Sequence, residues 1–150
     1  MLVLNAAPAR PLDEELLGLV SILIINRVEA AMLTGLDMSG ADGALNAARQ
    51  LGGAGRDVIV TLGGDGCVLS LNGGEPAHFA ALKVKAVSSH GAGDSFVGAL
   101  AARLAKGDGL PDAVRYAAAA AALNVSRAVD ERWRITPSDV HRLLERAGHA

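Results

Sequence analysis

Apolar residues fall into two kinds of run along this chain. Some are short and continuous: residues 2–4, residues 22–25, and Val58-Ile59-Val60-Thr61-Leu62. Each runs into loop formers, namely Asn5 with Pro8 and Pro11, then Asn26, then Gly63-Gly64-Asp65-Gly66. A run of four or five long or β-branched residues predicts a strand covered on both faces, as in a parallel sheet. Other runs have helical spacing. Residues 13–20 place Leu16, Leu17 and Val20 on one side, residues 28–33 are closed by Gly35, and residues 41–51 stop at Gly52 and Gly53. Shorter strand-like pieces come next at 67–71, 77–79 and 82–84, joined by turns such as Asn72-Gly73-Gly74. A glycine loop at 91–93 then opens a helix from about Asp94 to Ala105. Pro111 stands at the start of the next helix, which runs to about Arg127. Thr136-Pro137 opens a last helix with Asp139 in its first turn.

Alternating strand–helix units followed by packed helices predict an α/β fold with a mainly parallel sheet. The alanine run at 117–122 lets neighbouring layers approach closely. No fixed-period repeat, low-complexity tail or linker interrupts the pattern, so one domain is expected over residues 1–150. Composition narrows the class. With 51% hydrophobic residues and a mean hydropathy of +0.31 the chain is not disordered. Eighteen glycines, several in loops between apolar runs, suit a protein whose loops approach a ligand closely.

A net charge of −2 and a pI near 6.0 give no electrostatic reason to expect nucleic acid or an anionic membrane as partner. The densest basic group, at 127–134, also holds Asp130 and Glu131 and reads as a solvated face. Trp133 within it reads as a packing anchor for the last helix. The lone Cys67 excludes an internal disulfide, reads as a small buried strand residue, and suits a reducing cytosol. The early apolar stretch at 16–25 is well short of the ~20 residues that span a bilayer, and no secretory pattern opens the sequence. A cytoplasmic protein is expected.

Ligands of open α/β sheets bind where strands end and helix N-termini face outward. Three segments fit: Asn26 to Glu29, Thr61 to Gly66, and His90 to Asp94. The most telling is Gly91-Ala92-Gly93-Asp94-Ser95-Phe96. Small residues allow a sharp turn that exposes consecutive N–H groups at a helix N-terminus, an anion hole. A carboxylate in the first turn can take the proton of an attacking hydroxyl beside it. Residues of this type suit phosphoryl transfer, in which charge spreads over the moving oxygens. The blander reading is that Asp94 only complements the helix dipole. No G-x-x-x-x-G-K-[ST] loop or dinucleotide fingerprint is present, and His78, His90, His141 and His149 lack metal-ligand spacing.

Gly91-Ala92-Gly93-Asp94, followed by Ser95-Phe96-Val97-Gly98-Ala99-Leu100, closely resembles the second signature of the ribokinase/PfkB carbohydrate kinases. That resemblance implies Asp94 as general base and Gly91, Ala92 and Gly93 as anion hole. Asn26-Arg27-Val28-Glu29 resembles the family's N-x-x-E motif, implying that Asn26 contacts the nucleotide and that Glu29 organises Mg²⁺ through water. Thr61-Leu62-Gly63-Gly64-Asp65-Gly66 resembles the nucleotide loop, implying ATP contacts from Thr61, Gly63, Gly64 and Gly66. Asn5-Ala6-Ala7-Pro8-Ala9-Arg10 and the helix at 113–127 match further segments in the same order. The resemblance implies a three-layer αβα ribokinase-like (Rossmann-like) fold, of which this chain is the C-terminal portion. The N-terminal portion with the substrate lid is expected to be absent. ATP and Mg²⁺ are the implied cofactors, and a sugar or related small alcohol the acceptor. The incomplete sheet edge is a surface for homo-oligomer formation.

The chain departs from the family pattern at the monovalent-cation site, which the resemblance puts near Ser88 and His90. Ser88-Ser89 replaces the usual Asp-Thr, and Arg127-Ala128-Val129-Asp130 replaces Arg-x-Gly-Ala. A neutral serine holds K⁺ less well than a carboxylate, which weakens the expectation of potassium activation. His90 itself reads as a solvated loop residue. Two other functions stand beside the sugar kinase: a non-catalytic remnant that binds nucleotide or self-associates, and a kinase of the same fold acting on a nucleoside or vitamin precursor.

Overall fold

The computed structural model describes residues 1–8, 10–53 and 55–148. Ala9, one residue of the segment Asn5-Ala6-Ala7-Pro8-Ala9-Arg10, and His149 lie outside the described residues. The chain divides into two units, Met1–Ala80 and Ala81–Ala150.

The first unit carries the whole sheet. Its elements are β1 (Val3–Asn5), α1 (Glu14–Leu19), β2 (Ile22–Asn26), α2 (Arg27–Thr34), α3 (Ala41–Leu51), β3 (Asp57–Thr61), β4 (Cys67–Ser70) and β5 (Ala77–Phe79). The strands lie in the order β1-β2-β3-β4-β5. Helical crossovers make β1, β2 and β3 parallel, whereas β3–β4 and β4–β5 are antiparallel. The expected parallel character thus holds for three strands, and the sheet as a whole is mixed. Loop length decides this: residues 62–66 suffice for a hairpin, while a parallel return needs a dozen or more.

Side chains alternate across the strands, and both faces of β2 and β3 are buried. Leu23, Ile25, Val58, Val60 and Val68 point to one face, where Ala30 of α2 and Ala44, Ala47 and Ala48 of α3 meet them. Ile24 and Ile59, on the other face, are equally buried. Residues 82–84 form no strand. Leu82 and Val84 are half-buried between exposed Lys83 and Lys85, so the period-2 alternation specifies an extended chain that joins no ladder.

The second unit is helical: α4 (Ala92–Ala105), α5 (Leu110–Ser126), a 3₁₀ segment (Val129–Arg134) and α6 (Pro137–Arg146). Ala119, Ala120 and Val140 form a small core with Tyr116, Leu123, Leu143 and Leu144 packed against it. Helix α6 opens with a Thr136–Asp139 capping box and Pro137 in its first turn, as the sequence predicts. Trp133 does not anchor α6. It is 76% exposed, with the Arg134 guanidinium 5.0 Å from its ring centre. Among the described residues no helix is long and apolar enough to cross a membrane.

Candidate functional site

The N-x-x-E segment and the Thr61–Gly66 loop both sit at the carboxyl end of the parallel strands. Asn26 ends β2, Thr61 ends β3, and the two are partners in the strand register. Thr61 Oγ1 also donates to Ile25 O at 3.3 Å. Two of the residues marked from sequence are therefore neighbours across the sheet, where an α/β fold presents its ligand crevice.

Asn26 is the N-cap of α2. Its Oδ1 accepts from Val28 N at 2.8 Å and Glu29 N at 3.0 Å, while Glu29 Oε2 accepts from Asn26 N at 2.8 Å. This reciprocal capping box satisfies the helix end without any ligand. Glu29 is only 4% exposed. One oxygen already committed to the main chain suits Mg²⁺ organised through water rather than direct chelation, since Mg²⁺ keeps several waters and needs few carboxylates. Among the described residues no three Cys, His, Asp or Glu side chains cluster to hold a metal by themselves. Asn26→Ala is expected to cost about 1 kcal/mol of stability in chemical denaturation. Asn26→Asp, which keeps a capping acceptor, is expected to retain most of it.

Beyond Thr61 the chain makes a tight 3₁₀ turn at Gly63–Asp65, closed by Leu62 N–H to Gly66 O at 2.7 Å and Gly66 N–H to Gly63 O at 3.1 Å. Gly63 (φ 62°) and Gly66 (φ 96°) take backbone conformations that side chains disfavour. Gly64 does not, and a Cβ built there meets nothing within 4 Å. The turn explains the first two glycines and leaves the third as bare, exposed backbone. Arg27 ties this loop to α2, its Nη2 reaching Asp65 Oδ2 at 2.5 Å and its Nη1 reaching Met38 O at 2.8 Å. His78 Nε2 donates to Asp65 O at 2.7 Å. The sequence pattern assigns Arg27 no role, because both of its partners are distant along the chain. Cys67, opposite Thr61 in the antiparallel ladder, is buried, and that burial pushes its thiol up to about 12, which keeps it protonated and inert at neutral pH.

In the second unit, α4 starts two residues earlier than the sequence suggests. Gly91, in left-handed conformation (φ 75°), is the N-cap, so Ala92, Gly93 and Asp94 form the first helical turn rather than a loop before it. Ala92 N–H turns back to Ser89 O at 3.3 Å. Helix geometry leaves the first-turn amides without intrahelical acceptors, so those of Gly93 and Asp94 are free to meet an anion. Gly93 is exposed, its φ is ordinary, and an added Cβ would meet nothing within 4 Å. Asp94 is exposed, and no side chain caps the start of α4.

The approach to α4 is held by α5 and the segment after it. Val87 and Ser88 N–H both go to Val125 O, at 2.7 and 3.2 Å. Arg132 then donates from Nη1 to His90 O at 2.6 Å, from Nη2 to Ser88 O at 3.1 Å, and from Nε to Arg127 O at 3.3 Å. The 127–134 cluster is thus only partly the solvated face expected of it. Asp130, Glu131 and Trp133 are exposed, but Arg132 binds the main chain. The His90 side chain is exposed, as expected. Ser88 and His90, the residues marked for a monovalent cation, offer their carbonyls to a guanidinium instead. The arrangement does not fit K⁺ there.

Residues 1–130 match the model of the pfkB family carbohydrate kinases. The chain belongs to this family. Among its pfkB-family relatives, ribokinase of Staphylococcus aureus (strain COL) is 35% identical over 127 residues, covering 83% of this chain and 41% of that protein. Ribokinase of Mus musculus is 48% identical over 105 residues, covering 67% of this chain and 32% of the relative. The structure of Arabidopsis thaliana ribokinase complexed with ribose and ATP superposes with a TM-score of 0.80 at 29% identity, covering 95% of this chain and 47% of that one. The fold is therefore the ribokinase-like αβα fold, and the pfkB chain described here spans less than half the length of these relatives.

Proposed function

We propose that this chain is the nucleotide-binding and catalytic portion, corresponding to the C-terminal half, of an ATP-dependent kinase that phosphorylates a hydroxyl of a sugar or related small molecule. The observation that carries the reading is the start of α4. An exposed carboxylate, Asp94, comes directly after Gly93, a helical glycine that neither its backbone conformation nor any neighbour requires. A helix that gains nothing from glycine at that place has a surface suited to close approach by an anion. The kinase family and the relative bound to ribose and ATP support the same class of chemistry.

In this reading Asn26, Thr61, Gly63, Gly64 and Gly66 bind ATP at the ends of β2 and β3. Glu29 orders Mg²⁺ through water, and the metal supplies charge neutralisation on the phosphates. Asp94 takes the proton of the acceptor hydroxyl. The hydroxyl oxygen forms its bond to the γ-phosphorus as the bond from that phosphorus to the bridging oxygen breaks and ADP leaves. The Gly91–Gly93 loop serves as the anion hole, in which the free N–H groups of Gly93 and the adjoining Asp94 receive the oxygens of the transferring group, where pre-aimed donors stabilise the transition state most.

A second reading has one specific observation in its favour. Asn26 and Glu29 satisfy each other in a capping box, so that motif does not by itself call for a ligand. A chain that binds nucleotide without transferring phosphate, or that only associates, is consistent with this. Calorimetric titration with Mg·ATP, followed by ADP formation across a panel of sugars, separates the readings. Saturable binding with acceptor-dependent ADP is expected. Binding without ADP formation selects the nucleotide-binding form of the second reading, and no binding at millimolar ATP removes the kinase and leaves its associating form.

A further inference from the structure

Arg132 lies two residues beyond the family-matched span and uses its guanidinium entirely on main-chain oxygen. The three carbonyls it engages come from two stretches of chain, Ser88 and His90 leading into α4 and Arg127 leaving α5. No carboxylate pairs with it among the described residues. A fourth oxygen stands close by. A Cβ on Gly91 would lie 3.7 Å from Arg132 Nη1 and 4.0 Å from Asn124 Oδ1, a buried atom with no hydrogen-bond partner.

Carbonyl dipoles brought together at their negative ends repel unless positive charge is placed among them. A guanidinium meets that need permanently, because it stays ionised at any ordinary pH and presents several donors in a rigid plane. Hydrogen bonds from an ionised donor are roughly twice as strong as neutral ones. The position at the C-terminal end of α5 adds the negative end of that helix's dipole. The stretch so fixed is the one whose last residue, Gly91, begins α4.

We infer that Arg132 is a tethered cation that sets the approach to α4, making the conformation of residues 88–91 independent of any dissolved monovalent ion. It is a positioning residue, acting through main-chain carbonyls, and touches neither nucleotide nor acceptor. That the turn receives phosphate rests on the proposed function; that Arg132 holds it does not. The lost Asp-Thr before the turn then has a chemical counterpart. A site without its carboxylate holds a free ion poorly, and a covalently attached charge needs no such help.

The test is hydrogen exchange at the Val87, Ser88 and Ser95 amides, with β2 and β3 amides as a check that the sheet is intact. Wild type and Arg132→Ala are compared in choline chloride, sodium chloride and potassium chloride, and with added guanidinium ion at tens of millimolar. Wild type is expected to exchange equally in all of them. Arg132→Ala is expected to exchange at least tenfold faster at the three reporter amides in choline chloride, with protection regained on adding guanidinium ion. An intact variant whose exchange ignores the cation overturns the inference, as does a wild type that needs potassium for protection. Where Arg132→Ala fails to fold, Arg132→Lys serves instead: it keeps the charge and is expected to retain most of the protection, and its loss without cation rescue overturns the inference equally. Mg·ATP titration run alongside keeps the two proposals separate. A wild type that binds no nucleotide yet shows the expected exchange pattern loses the proposed function and keeps the tethered cation.

Discussion

Asp94→Asn is expected to lower acceptor-dependent ADP formation by about 10³-fold, within the range general-base catalysis contributes, while Mg·ATP affinity changes by no more than a few-fold. The substitution keeps the shape and removes the ability to accept a proton. Because the α4 N-terminus has no side-chain cap and Asp94 is exposed, the fold has little stake in the carboxylate. The one structural contribution it makes is a charge near the positive end of α4, about 0.3–1 kcal/mol. The alternative role, dipole complement alone, therefore predicts the opposite pattern: a small loss in the thermal midpoint and unchanged turnover. Kinetics and a melting curve on the same variant decide between them. Turnover that survives removes Asp94 as the base.

Most elements, and the ends of most of them, are legible in the pattern of residues. Helix α3 at 41–51 and β5 at 77–79 both show, because turn-forming residues bracket short patterned runs. The antiparallel half of the sheet is encoded as well, in a 62–66 connection too short for any crossover, but runs of apolar residues say nothing about direction. Register is not legible. That Asn26 stands beside Thr61 depends on how β2 slides along β3, and the interiors of both strands are apolar on both faces, so no alternation fixes the offset. The start of α4 is misleading in sequence because glycines signal a loop, whereas here Gly91 makes the turn and Gly93 is already helical. Arg132 is least legible of all. Its acceptors are main-chain carbonyls as far as 44 residues away, and a carbonyl leaves no mark on the side-chain sequence.

Gly93→Ala is expected to separate stability from activity, raising the first and lowering the second. Glycine inside a helix is less favourable than alanine by roughly 0.5–1 kcal/mol, because it loses more backbone freedom on folding. At Gly93 the added Cβ meets nothing within 4 Å and the backbone is already in an ordinary region, so the variant gains without strain. For a chain of this size about 1 kcal/mol corresponds to a rise of some 2–4 °C in the thermal midpoint. The same methyl group stands on the surface where the proposed anion hole must meet the transferring phosphoryl. Displacing that group from one donor is expected to slow turnover by about 10²-fold, the lower end of the cost of losing an oxyanion-hole donor. Gly91→Ala provides the contrast. Its φ of 75° strains any side chain, so both stability and activity are expected to fall, and the experiment reads nothing specific about phosphate. A Gly93→Ala protein that is stabilised and fully active would mean that no anion approaches the start of α4 at that residue. One that is stabilised and slow would tie the glycine to the chemistry, since the fold would have been better off without it.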